Sequence, residues 1–399
     1  MRILIAAAGS RGDVAPYTGL GAGLREAGHD VTLATTDAFA PLVREAGLGF
    51  RSLPSRPQAQ GGVVSRRELM RTAAAFVTEL GQGFADAVDP GTELLLLSAT
   101  TAPLGWHVAE ALGIRTIGTY LQPTAPTGDF PPNVMGSRSL GRLGNRAAGH
   151  IALRMADRVY TEAVTELRRR LDLPALGPAE TRRRQERAHR PVLHGFSTAL
   201  VPRPSDWRAG LHVVGTWWPY VAPDRRLPGE VEDFLAAGAR PVFIGFGSMA
   251  AGHGERLSEI AVQALRRAGL RGIVQSGSAG LAADGDDVLT IGDVPHALLF
   301  PRVAAVVHHA GAGTSAAALR AGAPAIPVPV TADQPFWAGR LASIGAATAP
   351  VPFASLTAER LADALAQAVR RQTYARAASV AARHMATEDG VGAVLKALG

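Results

Sequence analysis

The sequence predicts an α/β protein built from two domains, each a parallel β-sheet covered by helices. The chain has 399 residues, which is longer than one ordinary domain. In both halves, short apolar runs alternate with stretches of helical period, and this order is typical of parallel strands joined by crossover helices. Between the halves, residues 202–228 are rich in Pro and Trp and lack a sustained period, so we place the interdomain linker there.

The first half predicts an N-terminal domain over residues 1–201. Apolar, β-branched runs indicate strands, and the stretches between them have the apolar spacing of helices. A long region rich in Arg and Ala is also predicted to be helical. The predicted strands are 2–8, 31–35, 94–98, 116–119 and 191–200, and the predicted helical regions are 14–27, 38–46, 103–112 and 140–171.

The second half repeats the pattern over residues 229–385, and a terminal segment, 386–399, contains a further helical stretch at 390–398. Neither half has a G-x-G-x-x-G motif after its first strand, which disfavours dinucleotide oxidoreductase chemistry. The predicted strands are 242–246, 272–275, 288–291, 303–307 and 325–328, and the predicted helices are 256–268 and 314–321.

Composition excludes several classes of site. Hydrophobic residues make up 47% of the chain and charged residues only 19%, which supports well-buried cores. The absence of Cys excludes disulfides, thiolate zinc sites and cysteine nucleophiles. The apolar N-terminal run 2–8 is too short to span a membrane and is interpreted as a strand rather than a signal peptide, so we expect a cytoplasmic protein without an integral membrane segment.

The net charge is +7, and almost all of the positive charge comes from Arg, since Lys396 is the only lysine. Such a skew favours an effect of GC-rich coding over a nucleic-acid function, and no aromatic residues are interleaved with the basic cluster at 168–190 to stack on bases. We interpret that cluster as a solvated helical face. Peripheral contact with an anionic membrane, or an acidic partner, is the alternative.

A glycine-rich turn in the second half predicts a phosphate site. The buried run 303–307 leads through His309, Gly311 and Gly313 into a helix predicted to begin at Thr314. Glycines allow close backbone approach, the helix N-terminus attracts an anion, and His309 adds a donor. A turn needed only for packing is the alternative. The neighbouring His308 should point the opposite way on the strand and is interpreted as structural.

Four motifs follow one another in the second half, in the order Val294-Pro295-His296, Leu299-Phe300-Pro301, the turn at 308–314, and Ala332-Asp333-Gln334-Pro335-Phe336-Trp337. Together they resemble the donor-binding signature of family 1 glycosyltransferases, in particular the bacterial antibiotic-tailoring and sterol-type branches. Near the N-terminus, Gly9-Ser10-Arg11-Gly12-Asp13-Val14 resembles the acceptor-side loop of the same branches. The resemblance covers nearly the whole chain and is weak between residues 58 and 191. It implies the GT-B fold, in which two Rossmann-like domains face each other across a cleft and the segment 386–399 returns to the first domain.

The resemblance also implies how a nucleotide sugar would be held. The backbone at Val294 would lie against the base, and Asp333 and Gln334 would bind sugar hydroxyls, for which a carboxylate and an amide are chemically suited. A polar turn before Pro335 is the alternative for the last pair. The remaining predicted donor contacts are Ser10, Arg11, Ser248, His309, Gly311, Gly313 and Thr314.

Asp13 is the predicted catalytic base. A hydroxyl that displaces a nucleoside diphosphate from an anomeric carbon must lose its proton, and a positioned carboxylate can accept it. The alternative is that Asp13 is only a helix N-cap. Pro16 weakens this alternative, because with Asp13 at the N-cap it would occupy the third helical position without an N–H to be capped.

No metal or cofactor is expected. Asp284-Gly285-Asp286 matches the D-x-D pattern of metal-dependent sugar transferases, but we interpret it as a surface turn between two strands. Charge on the leaving group would then be met by the helix N-terminus and His309.

The acceptor is expected to approach through the first domain. The candidates are the loop 54–65, an apolar helix face that includes Leu69 and Phe76, the pair Trp106-His107, and the stretch 121–135 with Met135. Apolar residues at helical spacing are often core residues, and that alternative stays open here. We predict Phe76, Trp106, His107 and Met135 as acceptor contacts, with a lipophilic polycyclic, macrolide, sterol-like or aromatic acceptor.

These inferences lead to one functional hypothesis and two alternatives. The hypothesis is an inverting, metal-independent glycosyltransferase that uses a UDP- or dTDP-sugar, with a slight preference for glucose or a close relative. The alternatives are a nucleotide-sugar epimerase with a similar fold and a non-catalytic nucleotide-sugar-binding protein.

Overall fold

The computed structural model describes residues 1–55, 66–247, 252–277, 280–283 and 285–399. Within these residues the chain forms two α/β domains, each with one parallel sheet. The predicted fold class is therefore confirmed.

The first sheet contains, among the described residues, seven strands in the order β3-β2-β1-β4-β5-β6-β7. Ile3 and Ile5 of β1 face one hydrophobic core, and Leu4 and Ala6 face another, because successive side chains on a strand point to opposite faces. Helices cover both faces, as parallel sheets require. The strands are β1 (Arg2–Ala6), β2 (Asp30–Thr35), β3 (Gly49–Ser52), β4 (Leu94–Leu97), β5 (Arg115–Tyr120), β6 (Val192–His194) and β7 (Leu211–Val213).

The helices of this first part include the predicted crossovers, but one of them is divided, and the helix Pro178–Arg187 was not predicted. The predicted helical region 140–171 consists of two helices that meet at Tyr160. The helices are α1 (Arg11–Glu26), α2 (Ala40–Glu45), α3 (Arg66–Ala87), α4 (Ala102–Leu112), α5 (Gly141–Val159), α6 (Thr161–Arg170) and α7 (Pro178–Arg187).

The second sheet contains, in the part of the chain that is described, five strands in the order β10-β9-β8-β11-β12. Its strands are β8 (Val242–Gly245), β9 (Gly272–Gln275), β10 (Val288–Ile291), β11 (Ala305–His308) and β12 (Ala325–Pro327). The helices around it and at the end of the chain are α8 (Gly229–Ala236), α9 (Gly254–Ala268), α10 (His296–Leu299), α11 (Ala312–Arg320), α12 (Gln334–Ser343), α13 (Ala358–Arg370), α14 (Gln372–Met385) and α15 (Gly390–Leu398).

The predicted linker, 202–228, needs correction. Strand β7 lies inside it and pairs in parallel with β6, so the first sheet extends as far as Val213. Trp207 and Trp217 are also buried, each in a core of the first domain. A three-residue strand among prolines has too few residues to show a period, which is why this stretch was predicted as linker.

The last helix, α15, packs on the first domain. Val394 and Leu398 are buried in the same core as Ile3 and Ile5 of β1. Arg115, which begins β5, donates to the carbonyl oxygen of Leu398 at 2.8 Å. The predicted return of the C-terminal segment to the first domain is therefore confirmed.

In both sheets the strand order reverses at a point that favours ligand binding. In the first sheet the strand order reverses between β1 and β4, and in the second between β8 and β11. In open parallel sheets, ligands bind beyond the carboxyl ends of the strands at such switch points. The loop after β1 contains Gly9 and Ser10 and leads into the first turn of α1 with Asp13, and the loop after β11 contains His309 to Gly311.

Candidate active site

The loop after β1 leads into α1, and Asp13 lies on the first turn of that helix. The helix begins at Arg11, and Ser10 has the extended backbone of an N-cap. Asp13 is therefore the third helical residue and forms a capping box with Ser10. This corrects the alternative in which Asp13 itself is the N-cap and Pro16 the third residue.

Two donors on Ser10 hold one oxygen of the Asp13 carboxylate. The backbone N–H and the hydroxyl of Ser10 both donate to Oδ2 of Asp13, each at 2.8 Å. Gly9 makes room for this arrangement: its φ is 146°, and a β-carbon there would lie 2.5 Å from Oδ2. Ser10, predicted as a donor contact, is in this structure a support for Asp13.

One turn further along α1, Tyr17 is fully buried and donates its hydroxyl to the carbonyl oxygen of Thr119. Burial raises the pKa of Tyr17, and the charge of Asp13 raises it further. The phenol therefore stays protonated at neutral pH. Of these two neighbouring side chains, Asp13 is the one suited to accept a proton.

The N-terminus of α11 offers backbone donors that have no partner within the helix. Gly311 is the N-cap, and the first N–H that bonds back within the helix belongs to Ser315, which donates to the Gly311 carbonyl oxygen at 2.9 Å. The N–H groups of Ala312, Gly313 and Thr314 thus precede the hydrogen-bonded turn. With the helix dipole, they suit a diphosphate. The helix starts two residues earlier than predicted.

The imidazole of His309 fills the space between two glycines. A β-carbon on Gly311 would lie 2.6 Å from its Nε2, and one on Gly247 would lie 2.8 Å from its Cε1. Its Nδ1 is buried without a hydrogen-bond partner among the described residues. Burial lowers the pKa of His309 to about 4, so the ring is neutral near pH 7. It can donate one hydrogen bond to a phosphate but adds no positive charge.

His308 supports the turn between β11 and α11. It is fully buried, and its Nδ1 accepts a hydrogen bond from the N–H of Ala310 at 3.1 Å. Ala310 has a φ of 61°, a backbone conformation that a non-glycine residue rarely adopts. The bond to His308 helps to hold the strained residue between strand and helix.

Asp333 is the N-cap of α12 and Gln334 is its first residue, and the two side chains have different surroundings. Oδ2 of Asp333 accepts from the indole N–H of Trp337 at 2.7 Å. Burial raises the pKa of Asp333, and the charge of Asp13 adds to this shift. Gln334 is 5% exposed, and its Oε1 accepts from the N–H groups of Val330 and Thr331 at 2.8 and 3.2 Å. Its oxygen thus supports the loop before Asp333, which leaves the Nε2 amide for the predicted contact with a sugar.

Gln122 links the two halves of the site. Its Nε2 donates to Oδ2 of Asp333 at 2.9 Å, and its Oε1 accepts from Nδ2 of the buried Asn133 at 2.6 Å. The stretch 121–135 was predicted to be near the acceptor, but Gln122 was not singled out. Its position two residues after β5, at the carboxyl end of a strand, is the one sequence signal that points to it.

An ion pair at the protein surface also connects the two domains. The guanidinium of Arg11, predicted to contact the donor, lies 2.7 Å from the carboxylate of Asp293, and both side chains are exposed.

The residue after Asp293, Val294, is buried in a core of the second domain. His296 stacks on Phe300 with ring centroids 4.2 Å apart, and burial lowers the pKa of His296 to about 4.

The N-termini of α1 and α11 face one cavity between the domains. Its lining includes Gly12 and Pro16 from α1 and Ala312 and Gly313 from α11. The residue before the predicted base and part of the predicted phosphate turn therefore line one cavity.

Two of the four predicted acceptor contacts, Phe76 and His107, are wrong. Phe76 is buried in the core of the first domain, and His107 is fully buried with its Nδ1 2.8 Å from a guanidinium nitrogen of Arg168. Neither side chain is open to a ligand. Trp106 is partly buried against the same core, and Met135 is 56% exposed.

A cavity that opens to solvent lies nearby in the first domain. It is lined by residues 123–127 and 130–133 together with one face of α5. These loop residues lie within the predicted stretch 121–135. We call this space the α5 cavity.

Three predictions fall wholly or partly outside the described residues. They concern Ser248, Asp284 of the D-x-D pattern, and the part of the acceptor loop beyond residue 55; the side chain of Leu69 is not described either. Within the described ranges, no group of three or more His, Asp or Glu side chains is arranged to hold a metal ion. Independence of a metal stays a prediction. The described ranges also contain no helix with the length and apolar character needed to cross a membrane.

His309 and Gln334 should contribute to different parts of donor binding. His309→Ala removes a donor beside the N-terminus of α11 and should weaken binding of the free nucleoside diphosphate. Gln334→Ala should weaken only the intact nucleotide sugar, with some loss of thermal stability because Val330 and Thr331 lose their acceptor. Titration calorimetry with UDP, dTDP and their glucose conjugates separates the two effects. The reverse pattern would overturn the assignment.

Two protein-family models match the chain, one in each half. The model described as "Glycosyltransferase family 28 N-terminal domain" matches residues 3–88, which include Gly9 to Asp13. The model described as "Erythromycin biosynthesis protein CIII-like, C-terminal domain" matches residues 273–398, which include His309 and Asp333. The matched ranges thus contain both sides of the cleft.

Similar proteins span the whole chain. An O-mycaminosyltylonolide 6-deoxyallosyltransferase of Streptomyces fradiae is 38% identical, over 98% of this chain and 95% of its own length. A sterol 3-beta-glucosyltransferase of Arabidopsis thaliana is 32% identical over the full chain, which spans 65% of that plant protein. Among solved structures, the glycotransferase of kitacinnamycin has a TM-score of 0.77 at 19% identity, covering 100% of this chain and 98% of its own. That last likeness is one of fold.

Proposed function

Because the chain belongs to the family 1 glycosyltransferases with the GT-B fold, we propose that it moves a hexose from a UDP- or dTDP-sugar to a hydroxyl of a small lipophilic acceptor, with inversion and without a metal. One observation carries the proposal. Asp13 lies close enough to Asp333 for its charge, after burial, to raise the pKa of Asp333. A carboxylate suited to accept a proton therefore lies within electrostatic range of the residue predicted to hold the sugar.

The proposed reaction is a single displacement. The acceptor oxygen attacks the anomeric carbon, its proton passes to the Asp13 carboxylate, and the bond from the anomeric carbon to the diphosphate oxygen breaks. The nucleoside diphosphate leaves with the electron pair of that bond. Its charge is met by the N–H groups of Ala312, Gly313 and Thr314, with a hydrogen bond from neutral His309.

A second carboxylate in the cleft makes the stereochemistry an informative test. Asp333 could in principle attack the sugar and give retention through two displacements. Its Oδ2, however, already accepts hydrogen bonds from Gln122 and Trp337, and these two donors fix it as a ligand for hydroxyl groups. Inversion through Asp13 is therefore the mechanism that the contacts support best.

The acceptor class rests on the α5 cavity and on the relatives. The cavity is lined mainly by Pro, Ala, Phe, Leu and Thr side chains, which suits a lipophilic molecule that carries a few polar groups. The two similar enzymes are named for O-mycaminosyltylonolide and for sterol. A macrolide-type or sterol-like alcohol is accordingly the first acceptor to try on this chain.

Stereochemistry and metal dependence are tested in one reaction. With an α-linked donor in excess chelator, we expect a β-linked glycoside at an undiminished rate, read from the coupling of its anomeric proton by NMR. The reason is that backbone N–H groups and His309, not a cation, would stabilise the diphosphate. An α-linked product would point to Asp333 as a nucleophile. Activity abolished by chelation and restored by Mg²⁺ or Mn²⁺ would direct attention to Asp284 and Asp286.

Two control arms separate this function from the alternatives. Donor incubated without acceptor should return unchanged, whereas an epimerase would convert it. Donor that binds in calorimetry but gives no product with any acceptor of a broad panel would instead favour a non-catalytic binding protein.

A further inference from the structure

Helix α5 has two faces with different surroundings. One face, with Asn145, Gly149 and Leu153, lines the α5 cavity. Asn145 is buried and fixes the preceding loop: its Nδ2 donates to the Gly128 carbonyl oxygen at 3.0 Å, and its Oδ1 accepts from the N–H of Leu140 at 2.8 Å. The orientation of the helix against its loop is therefore set by buried hydrogen bonds.

The opposite face exposes large apolar side chains to solvent. Leu143 is 88% exposed and Ile151 is 52% exposed. They lie eight residues apart with Ala147 between them, so the three form one stripe along the helix. The loop before the helix adds three exposed residues, Val134, Met135 and Leu140. Single exposed apolar residues are common, but a group of this kind on one face indicates an interaction surface.

Arginines flank the apolar stripe. Arg146, Arg154 and Arg158 lie on the same side of α5, and Arg138 precedes it; all four are exposed. In the part of the chain that is described, none of them forms a salt bridge or a hydrogen bond. Arg146 acts on Asp206 only at longer range. Their charges are therefore available to an external anion.

The basic cluster at 168–190 differs, because most of its arginines are already paired. Arg169 pairs with Glu166, and Arg183 and Arg187 both pair with Glu180, at distances between 2.7 and 3.4 Å. Arg168 and Arg182 also have carboxylate partners. Charge that is neutralised locally attracts an external surface less strongly. The surface with available charge is thus the exposed face of α5, not the cluster that the sequence singled out.

We propose that the exposed face of α5, defined by Leu143, Ala147, Ile151, Arg146, Arg154 and Arg158, docks on an anionic lipid surface together with the loop residues 134–140. An exposed helix face that combines apolar and cationic side chains is the pattern of interfacial helices. The cations meet anionic headgroups while the apolar side chains enter the headgroup boundary. The core of a protein–protein interface is, by contrast, depleted of charge.

The docked face lies on the same helix as the α5 cavity. If the proposed function holds, a lipophilic acceptor dissolved in the bilayer would leave it beside the cavity that receives it. The docking itself does not depend on that function, and its test uses neither donor nor acceptor.

The test is co-sedimentation of the full chain with vesicles of phosphatidylcholine alone or of an equal mixture with phosphatidylglycerol. Two double variants address the surface: Leu143→Asp with Ile151→Asp, and Arg146→Glu with Arg154→Glu. Val380→Asp on α14 is the matched apolar control, because Val380 is 58% exposed. Arg183→Glu with Arg187→Glu on α7 is the matched charge control. Thermal unfolding checks that every variant is folded.

We expect the wild type to bind only the anionic vesicles and to bind less as salt is raised. Each α5 double variant should lower the partition coefficient by about tenfold or more, and both controls should bind like the wild type. Failure of the wild type to bind anionic vesicles at low salt, or equal binding by the α5 variants, would overturn the proposal. So would a wild-type dimer in analytical ultracentrifugation that the Leu143→Asp and Ile151→Asp variant dissociates, because the face would then join two copies of the chain.

Discussion

Replacing Asp13 with Asn should lower turnover by about two to four orders of magnitude, the usual range for a lost general base, while nucleotide affinity stays nearly unchanged. The two donors of Ser10 can still bond to the amide oxygen of Asn, so the loop should keep its shape. The amide cannot accept the proton of the acceptor hydroxyl. The loss should therefore fall on turnover and not on the donor site across the cleft.

Steady-state turnover at saturating acceptor, together with calorimetry on UDP or dTDP, measures the two quantities. Ser10→Ala is the matched control: it removes the hydroxyl that donates to Asp13 but keeps the carboxylate and the backbone donor. Its loss should stay within about tenfold, as for one hydrogen bond. Near-wild-type turnover in Asp13→Asn would show that Asp13 only caps α1.

Gly9→Ala should have the second largest effect, because it displaces Asp13 without changing it. A β-carbon at Gly9 would lie 2.5 Å from Oδ2 and 2.8 Å from Cγ of Asp13, so the carboxylate would have to move. A shift of about 1 Å at a reacting group can cost on the order of 100-fold in rate. The φ of 146° adds backbone strain of about 1–3 kcal/mol.

Gly28→Ala separates the strain from the displacement. Gly28 also has a positive φ, 89°, but a β-carbon there would meet no atom within 4 Å. Both variants should therefore lose thermal stability, whereas only Gly9→Ala should lose turnover. An equal loss of turnover in the two variants would mean that backbone strain, not the position of Asp13, accounts for the effect.

The sequence predicted most of the fold because most of its strands are buried on both faces. Leu94–Leu97 is entirely apolar and entirely buried, so its pattern leaves little choice of structure. Short elements among turn residues were harder to predict. Strand β7 has three residues, and α11 was predicted to start at Thr314 because its first two residues, Ala312 and Gly313, belong to a glycine-rich turn.

The site could be predicted as far as its local motifs reach. The loops with Asp13 and His309 both lie at carboxyl ends of strands, as their order along the chain indicated. Contacts between distant segments could not be predicted in this way. Gln122 bonds to Asp333, which lies 211 residues away in the sequence, and His107 contacts the guanidinium of Arg168, which lies 61 residues away. No sequence pattern near either residue indicates its partner.

The chain passes between the domains twice, once after β7 and once between α14 and α15, and the two passages are fastened side by side. The indole N–H of Trp217 in the first passage donates to the carbonyl oxygen of Gly390 at the end of the second, at 3.0 Å. In the second passage, Oε1 of Glu388 accepts from the N–H of Thr198 in the first domain at 2.8 Å. Because these bonds fasten the two passages to each other, we expect the domains to move relative to each other mainly by bending at this connection. Such bending would separate Asp13 from Asp333 only after the hydrogen bond between Gln122 and Asp333 is broken.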